Sequence, residues 1–225
     1  DGFDYLIKTK IMNGIDHSKN KFEIPFTIIA ELPKIVKIRL IQLLVSSGKD
    51  LWSKHHFNVL GKFLKKRMTG NIYSLHNGWT LLHDRNTIKG FKNIDKFSNK
   101  NFRIRLNEPC YFQRYKYDIK LCDKPVLKNP RKNKEFVDWH RLKNCKLEIR
   151  IWNPGDIFQP LGMAGTQKIS DFLINQKIDR ISKNTQSVLT ANNVIFWVCG
   201  ERIADWVKVT KKTQEMAVLS RKYVD

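Results

Sequence analysis

Hydrophobic and polar positions follow two different periods along the chain. Over Ala30–Asp50 (AELPKIVKIRLIQLLVSSGKD), apolar Ile35, Ile38, Leu40, Ile41 and Leu44 recur at mostly helical spacing. Gly48 marks a stop, and Lys34, Lys37 and Arg39 fall on the other face. Ser53 is placed to cap a second helix through Arg67, with Phe57, Leu60, Phe63 and Leu64 as its buried stripe and Lys62, Lys65, Lys66 and Arg67 opposite. Before these, Lys21–Ile29 (KFEIPFTII) reads as a short extended segment. After them, Asn71–Arg85 (NIYSLHNGWTLLHDR) reads as a hairpin about Asn77-Gly78, the dipeptide that best tolerates a type I′ turn.

From Gly90 to about Asn101 the chain turns polar and Lys/Asn-rich, as a linker does, and Leu127–Phe136 (LKNPRKNKEF) reads as a basic loop tip around Pro130. Strand-like runs follow. In Cys145–Trp152, Leu147, Ile149 and Ile151 alternate with Lys146, Glu148 and Arg150, the pattern of a half-exposed strand. Val194–Gly200 (VIFWVCG) is nearly continuous in apolar residues and predicts a buried central strand, and Trp206–Thr210 (WVKVT) predicts another. There is no internal repeat. The pattern predicts an α+β chain: a helical domain with a β-hairpin over residues 1–90, a linker with first strands over 91–135, and a small mixed α/β domain over 136–225.

Composition sharpens this picture at three points. The chain of 225 residues is 41% hydrophobic and 11% aromatic with six Trp, which supports a real core and excludes the disordered class. Cys110, Cys122, Cys145 and Cys199 lie far apart with no C-x-x-C pair and no His at ligand spacing, so reduced, mostly buried thiols are expected and no metal site. Lys and Arg number 42 against 21 acidic residues, a formal charge of +21, which favours a polyanion partner, nucleic acid ahead of an acidic membrane surface. A Lys/Asn-rich proteome is the alternative source of that surplus. No apolar run approaches the length of a membrane span, and the acidic start DGFDYLIKTK is unlike a signal peptide, so a soluble intracellular protein is expected. Beginning at Asp1, the sequence reads as a piece of something longer.

The densest stretch is Asn153–Arg180 (NPGDIFQPLGMAGTQKISDFLINQKIDR). Gly162 to Lys168 has a phosphate-loop look, yet a P-loop needs Gly directly before the Lys and Ser or Thr directly after it, whereas Gln167 and Ile169 stand there. G-x-G-x-x-G and G-x-S-x-G are also absent. Asp156 and Asp171 have no His nearby, and His55, His56, His76, His83 and His140 are scattered, which argues against acid–base chemistry. Structurally, Pro154-Gly155 and Pro160-Leu161-Gly162 make turns, and Phe158, Leu161, Met163, Ile169, Phe172 and Leu173 form an apolar plug. A helix is expected from Ser170 or Asp171 to about Gln176. Outside the plug remain Lys168, Lys177, Arg180, Gln159, Thr166 and Gln167, a set suited to RNA backbone contact, with the amides of Gly165 to Ser170 as further phosphate donors.

GDIFQPLGMAGTQKISDFLINQKI, followed by IFWVCGERIADWVKVTKKT, resembles the C-terminal domain of tRNA(Ile)-lysidine synthetase. That family's pattern is roughly G-D-R-F-x-P-L-G-M-x-G-x-K-K-[LIV]-S-D-F-[FL]-I-[DN]-x-K, then I-x-W-V-x-G-x-R-I-D and K-[IV]-T. Gly155, Asp156, Pro160, Gly162, Gly165, Ser170, Asp171, Trp197 and Gly200 stand at its structural positions. Ile157 replaces an Arg, Gln167 the first Lys of a pair, Asp179 a Pro, and Ala204-Asp205 an Ile-Asp. The helical half and hairpin resemble the family's middle domain more loosely. The resemblance implies an enzyme that activates C34 of the CAU-anticodon isoleucine tRNA with ATP and Mg²⁺ and attaches lysine, changing codon reading from AUG to AUA. It places that chemistry in an N-terminal domain with an S-G-G-x-D-S motif, which these residues do not contain. This chain is then expected to hold tRNA, to be inactive alone, and to carry no catalytic residue. Its candidate contacts are Arg150, Gln159, Thr166, Gln167, Lys168, Lys177, Arg180, Arg202 and Lys208, with Lys65, Lys66 and Arg67 in the first half. A stand-alone RNA-binding accessory protein is the alternative. The resemblance further implies a bacterial cytoplasm or plastid stroma, no membrane, and a possible homodimer, for which Trp206 reads equally as a contact or as core.

Overall fold

A computed structural model describes residues 2–46, 52–92, 100–122 and 133–224. The chain divides into two compact units, Asp1–Lys96 and Phe97–Asp225. Most of the Gly90–Asn101 and Leu127–Phe136 stretches lie outside the described residues.

The first unit opens with helix α1 (Gly2–Lys10) and strands β1 (Asp16–His17) and β2 (Lys21–Pro25). Helices α2 (Phe26–Ile29), α3 (Lys34–Val45) and α4 (Lys54–Lys65) follow, then strands β3 (Ile72–Ser74), β4 (Trp79–Asp84) and β5 (Thr87–Lys92). The extended segment predicted from Lys21 therefore stops at Pro25, which has no N–H for a ladder and leads into the first turn of α2. Ser53 caps α4 as expected, and the cap is reciprocal: its Oγ accepts from the His56 amide while its own amide donates to His56 Nδ1.

Five strands in the order β1-β2-β5-β4-β3 form an antiparallel sheet, so this unit is not the helical domain with one hairpin that periodicity suggested. The missed strands are the two-residue β1 and the longer β5. Gly90 of β5 sits opposite Phe22, and a Cβ there would overlap the Phe22 ring, so the glycine is a packing requirement rather than a linker signal. In the β3–β4 hairpin Gly78 alone takes a left-handed φ, +82°, and Leu75 donates to the Trp79 carbonyl across three connecting residues. That geometry is a longer hairpin loop with a terminal glycine, not a type I′ turn. The core gathers Ile7, Phe22, Leu40, Ile41, Leu60 and Leu81. Ile35, predicted in the α3 stripe, is instead 59% exposed.

The second unit runs β6 (Phe102–Arg103), β7 (Cys110–Phe112), β8 (Tyr115–Cys122), β9 (Lys134–Asp138) and β10 (Leu147–Ile151). Then come β11 (Ile157–Phe158), β12 (Gln167–Lys168), α5 (Ile169–Asn175), α6 (Arg180–Asn184), β13 (Ser187–Ala191), β14 (Val194–Val198), β15 (Arg202–Ile203) and β16 (Met216–Tyr223). One sheet is ordered β15-β14-β13-β10-β6, a second β7-β8-β16-β9, and β11 pairs with β12. VIFWVCG forms the buried strand β14 as predicted, with Trp197 fully enclosed. Trp206–Thr210 does not form a strand: Asp205–Val207 is a 3₁₀ turn followed by irregular chain. Trp206 packs on the core and donates Nε1–H to the Ile195 carbonyl at 3.3 Å, which resolves its reading toward core. β10 is covered on both faces, because Glu148 is buried beside Lys146 and Arg150 is drawn inward. None of the four cysteines forms a disulfide, and only Cys199 is buried.

Candidate nucleic-acid interface

The Asn153–Arg180 stretch forms a turn, a two-stranded clip and two short helices. Asp156 anchors its start. Its carboxylate takes both Arg150 guanidinium nitrogens at 2.7 and 3.0 Å and the Asn153 amide at 2.7 Å, and its carbonyl accepts from Ile169. Arg150, with a side chain only 12% exposed, is thereby committed to an internal fork–fork ion pair and is turned away from any external phosphate. The turn opens on Gly155 at φ +94°, a conformation that an L-residue adopts only with strain.

Between β11 and β12 the loop is held against the sheet. Pro160 bridges to Ala204, Leu161 donates to the Ile203 carbonyl, and Gly162 N–H donates to Asp205 Oδ1 at 3.0 Å. Asp205 also receives Lys208 Nζ at 2.7 Å, and the Lys208 hydrogen bond together with the Gly162 amide holds its carboxyl below the usual range. Lys208 is therefore a strut of the loop. Gln159 spends its amide on the Met163 carbonyl at 2.7 Å. The plug forms from Phe158, Ile169, Phe172 and Leu173, with Phe158 and Phe172 edge to face at 5.0 Å. Met163, expected in it, is 46% exposed.

What remains outward is Thr166, Lys168, Lys177 and Arg180, all exposed, with Gln167 half-buried. Lys168 immediately precedes α5, Lys177 follows it at the left-handed φ of +58°, and Arg180 opens α6. Helix α5 begins at Ile169 rather than Ser170, is seven residues long, and the Ile169 amide is already taken by the Asp156 carbonyl, which removes it from the expected set of phosphate donors. Ser170 and Asp171 bond to each other at the surface. Arg202 is exposed on β15, where its charge opposes the upward shift that burial imposes on the Glu135 carboxyl. In the first unit, Lys65 ends α4 and Lys66 caps it. Arg67 instead lies over the Phe26 ring at 4.2 Å and donates to Asn86 Oδ1 and the Arg85 carbonyl.

Two departures from the sequence pattern acquire reasons. Asp179, where Pro was expected, caps α6 by accepting from the Ser182 amide at 2.8 Å and the Ser182 hydroxyl at 2.9 Å. Ala204 is fully buried, and its neighbour Asp205 performs the clamping. Among the described residues no group of three or more His, Cys, Asp or Glu is placed to hold a metal ion, and in the Gly162–Lys168 loop the Gly162 and Met163 amides are bonded internally, to Asp205 and to the Pro160 carbonyl. No helix among the described residues is long and apolar enough to cross a membrane.

The second unit thus has the fold of a TilS C-terminal domain. It aligns with the crystal structure of that domain at a TM-score of 0.50 and 18% identity, over 56% of this chain and 98% of the solved one. Residues 147–220 match the family model of the TilS substrate C-terminal domain. The related full proteins are tRNA(Ile)-lysidine synthases, which bears out the resemblance read from the motif. The enzyme of Parabacteroides distasonis is 33% identical over 98 residues, 44% of this chain and 22% of its own length. That of Clostridium perfringens is 25% identical over 210 residues, 86% of this chain and 43% of its own length. The chain spans less than half the length of these relatives.

Proposed function

We propose that this chain is the tRNA-holding portion of a tRNA(Ile)-lysidine synthetase, the ligase that attaches lysine to C34 of the CAU-anticodon isoleucine tRNA using ATP. The observation that carries this reading is the division of labour within Asn153–Arg180. Its apolar residues and Asp156 build the core and the turn, while Lys168, Lys177 and Arg180 are set outward around α5. Lysines arranged this way suit phosphate contact, which positions a nucleic acid without reading its sequence. The names of the relatives supply the substrate class, and the net charge of +21 supports a polyanion. ATP, Mg²⁺ and lysine are then bound by residues outside this sequence, in a bacterial cytoplasm or plastid stroma, and the chain alone releases no pyrophosphate from ATP.

The test is tRNA(Ile) transcript binding to the chain, followed by fluorescence anisotropy across a salt series. Affinity falls steeply with salt, and Lys168→Glu with Lys177→Glu weakens binding about tenfold and flattens the log–log salt slope by about 1.5, the share of two phosphates. Unchanged affinity in that variant would make the motif purely structural. Pyrophosphate release by the isolated chain would overturn the division between holding and chemistry.

A further inference from the structure

The first unit carries a basic groove that the motif does not account for. Between α3 and α4 lies a depression of about 290 Å³ lined by Lys34, Lys37, Lys62 and Lys65, with Gly61 and Leu64 beside them. Four lysines line it and no carboxylate is among the lining residues. Lys37 Nζ is tied to the Ala30 carbonyl at 2.8 Å, which fixes one charge. Lys34, Lys62 and Lys65 have no ion-pair partner among the described residues. Like charges gathered in this way repel one another unless an anion comes between them.

Gly61 gives the second observation. It sits inside α4, where glycine is the poorest ordinary helix former. A Cβ at that position would lie 2.5 Å from Lys34 Cε and 3.6 Å from Ile38 Cδ1. The missing side chain therefore lets the Lys34 stem cross from α3 over α4 and deliver its ammonium into the groove.

We infer that the α3–α4 groove is a phosphate-binding site for the sugar–phosphate backbone of an RNA strand, carried by the first unit on its own. Lysines act as point charges and lack the planar fork that reads bases, and the lining contains no aromatic ring for stacking. The volume lies at the lower end for ligand sites, room for a phosphodiester segment rather than a whole nucleotide cofactor. The inference rests on the proposed tRNA-holding function but uses none of its motif residues.

The experiment uses the whole chain and fluorescein-labelled tRNA(Ile) transcript, with three charge-reversal pairs compared in one salt series. Lys34→Glu with Lys62→Glu is expected to lower affinity about fivefold or more and to flatten the salt slope by about 1.5. Lys8→Glu with Lys10→Glu, the same charge change on exposed positions of α1, is expected to change affinity less than about twofold. Gly61→Ala keeps every charge and is expected to weaken binding about twofold to threefold without lowering the thermal midpoint. Equal losses from the groove pair and the α1 pair would overturn the site in favour of bulk charge. Full affinity in the groove pair would overturn it outright, leaving the motif reading intact if Lys168→Glu with Lys177→Glu still weakens binding. Loss in the groove pair alone would sustain the groove and remove the motif. Phosphatidylserine vesicle binding that the groove pair abolishes while RNA affinity holds would also overturn the inference.

Discussion

Lys177 shows how a single position divides stability from function. Leu173 and Ile174 accept the amides of Ile178 and Lys177 at 3.0 and 2.9 Å, the paired bonds of a Schellman cap, and the left-handed residue of such a cap is usually glycine. A lysine there carries a backbone penalty of about 1–2 kcal/mol, offset in part by the lower entropy of its unfolded chain. Lys177→Gly is therefore expected to hold or raise stability by up to about 1 kcal/mol in urea unfolding. On the proposed function it weakens tRNA binding at the same time. Loss of both properties would mean that the Lys177 side chain is a packing element. Arg150 gives the opposite lesson. Its alternation pattern placed it outward, and only the return of the chain at Asp156 reveals that it is half of an internal pair.

At the scale of elements, β14 is buried at every position after Val194, and Trp197 is its largest buried side chain. Trp197→Ala is expected to destabilise by about 3–5 kcal/mol, read as a shift in denaturant midpoint at constant m-value. A shift under about 1 kcal/mol would mean the cavity collapses fully. Elements whose signals are local were legible in the sequence: the Ser53 cap, the hairpin at Asn77-Gly78, the apolar run of β14, and the plug residues Phe158, Ile169, Phe172 and Leu173. Elements defined by remote partners were not. The β-like alternation of Trp206–Thr210 yields to the Asp205 clamp on Gly162, and Gly90 looked like a linker because its reason, the Phe22 ring, lies far back in the chain. The groove escaped for the same cause, since Lys34 and Lys62 belong to separate helices and each alone resembles a solvated face.

At the scale of the molecule, one titratable group in each unit is placed to respond to acid, and the two act in opposite directions. His83, buried in the first unit between Phe63 and Phe26, has its pKa lowered by desolvation, with the nearby Arg67 charge adding to the effect. The unfolded chain thus takes the proton first, and the first unit loses stability as pH falls from about 6.5 through the depressed folded value. Glu135 in the second unit is shifted upward by burial, so its contribution returns as pH falls toward its unfolded value. Calorimetry between pH 7 and 5 is expected to separate two transitions, the first-unit one falling. His83→Gln should flatten that fall, and an unchanged slope in the variant would show that His83 is not its source.

β16 lies between β8 and β9, pairing with both, and Arg221 near its end bonds Asn133 and the Cys199 carbonyl beneath Gly200. During synthesis, β8 and β9 therefore wait with an open edge each until β16 has left the ribosome. The second unit can close this sheet only once Met216–Tyr223 is free to pair, and a nascent chain stalled before residue 216 exposes two open strand edges to chaperones or to one another.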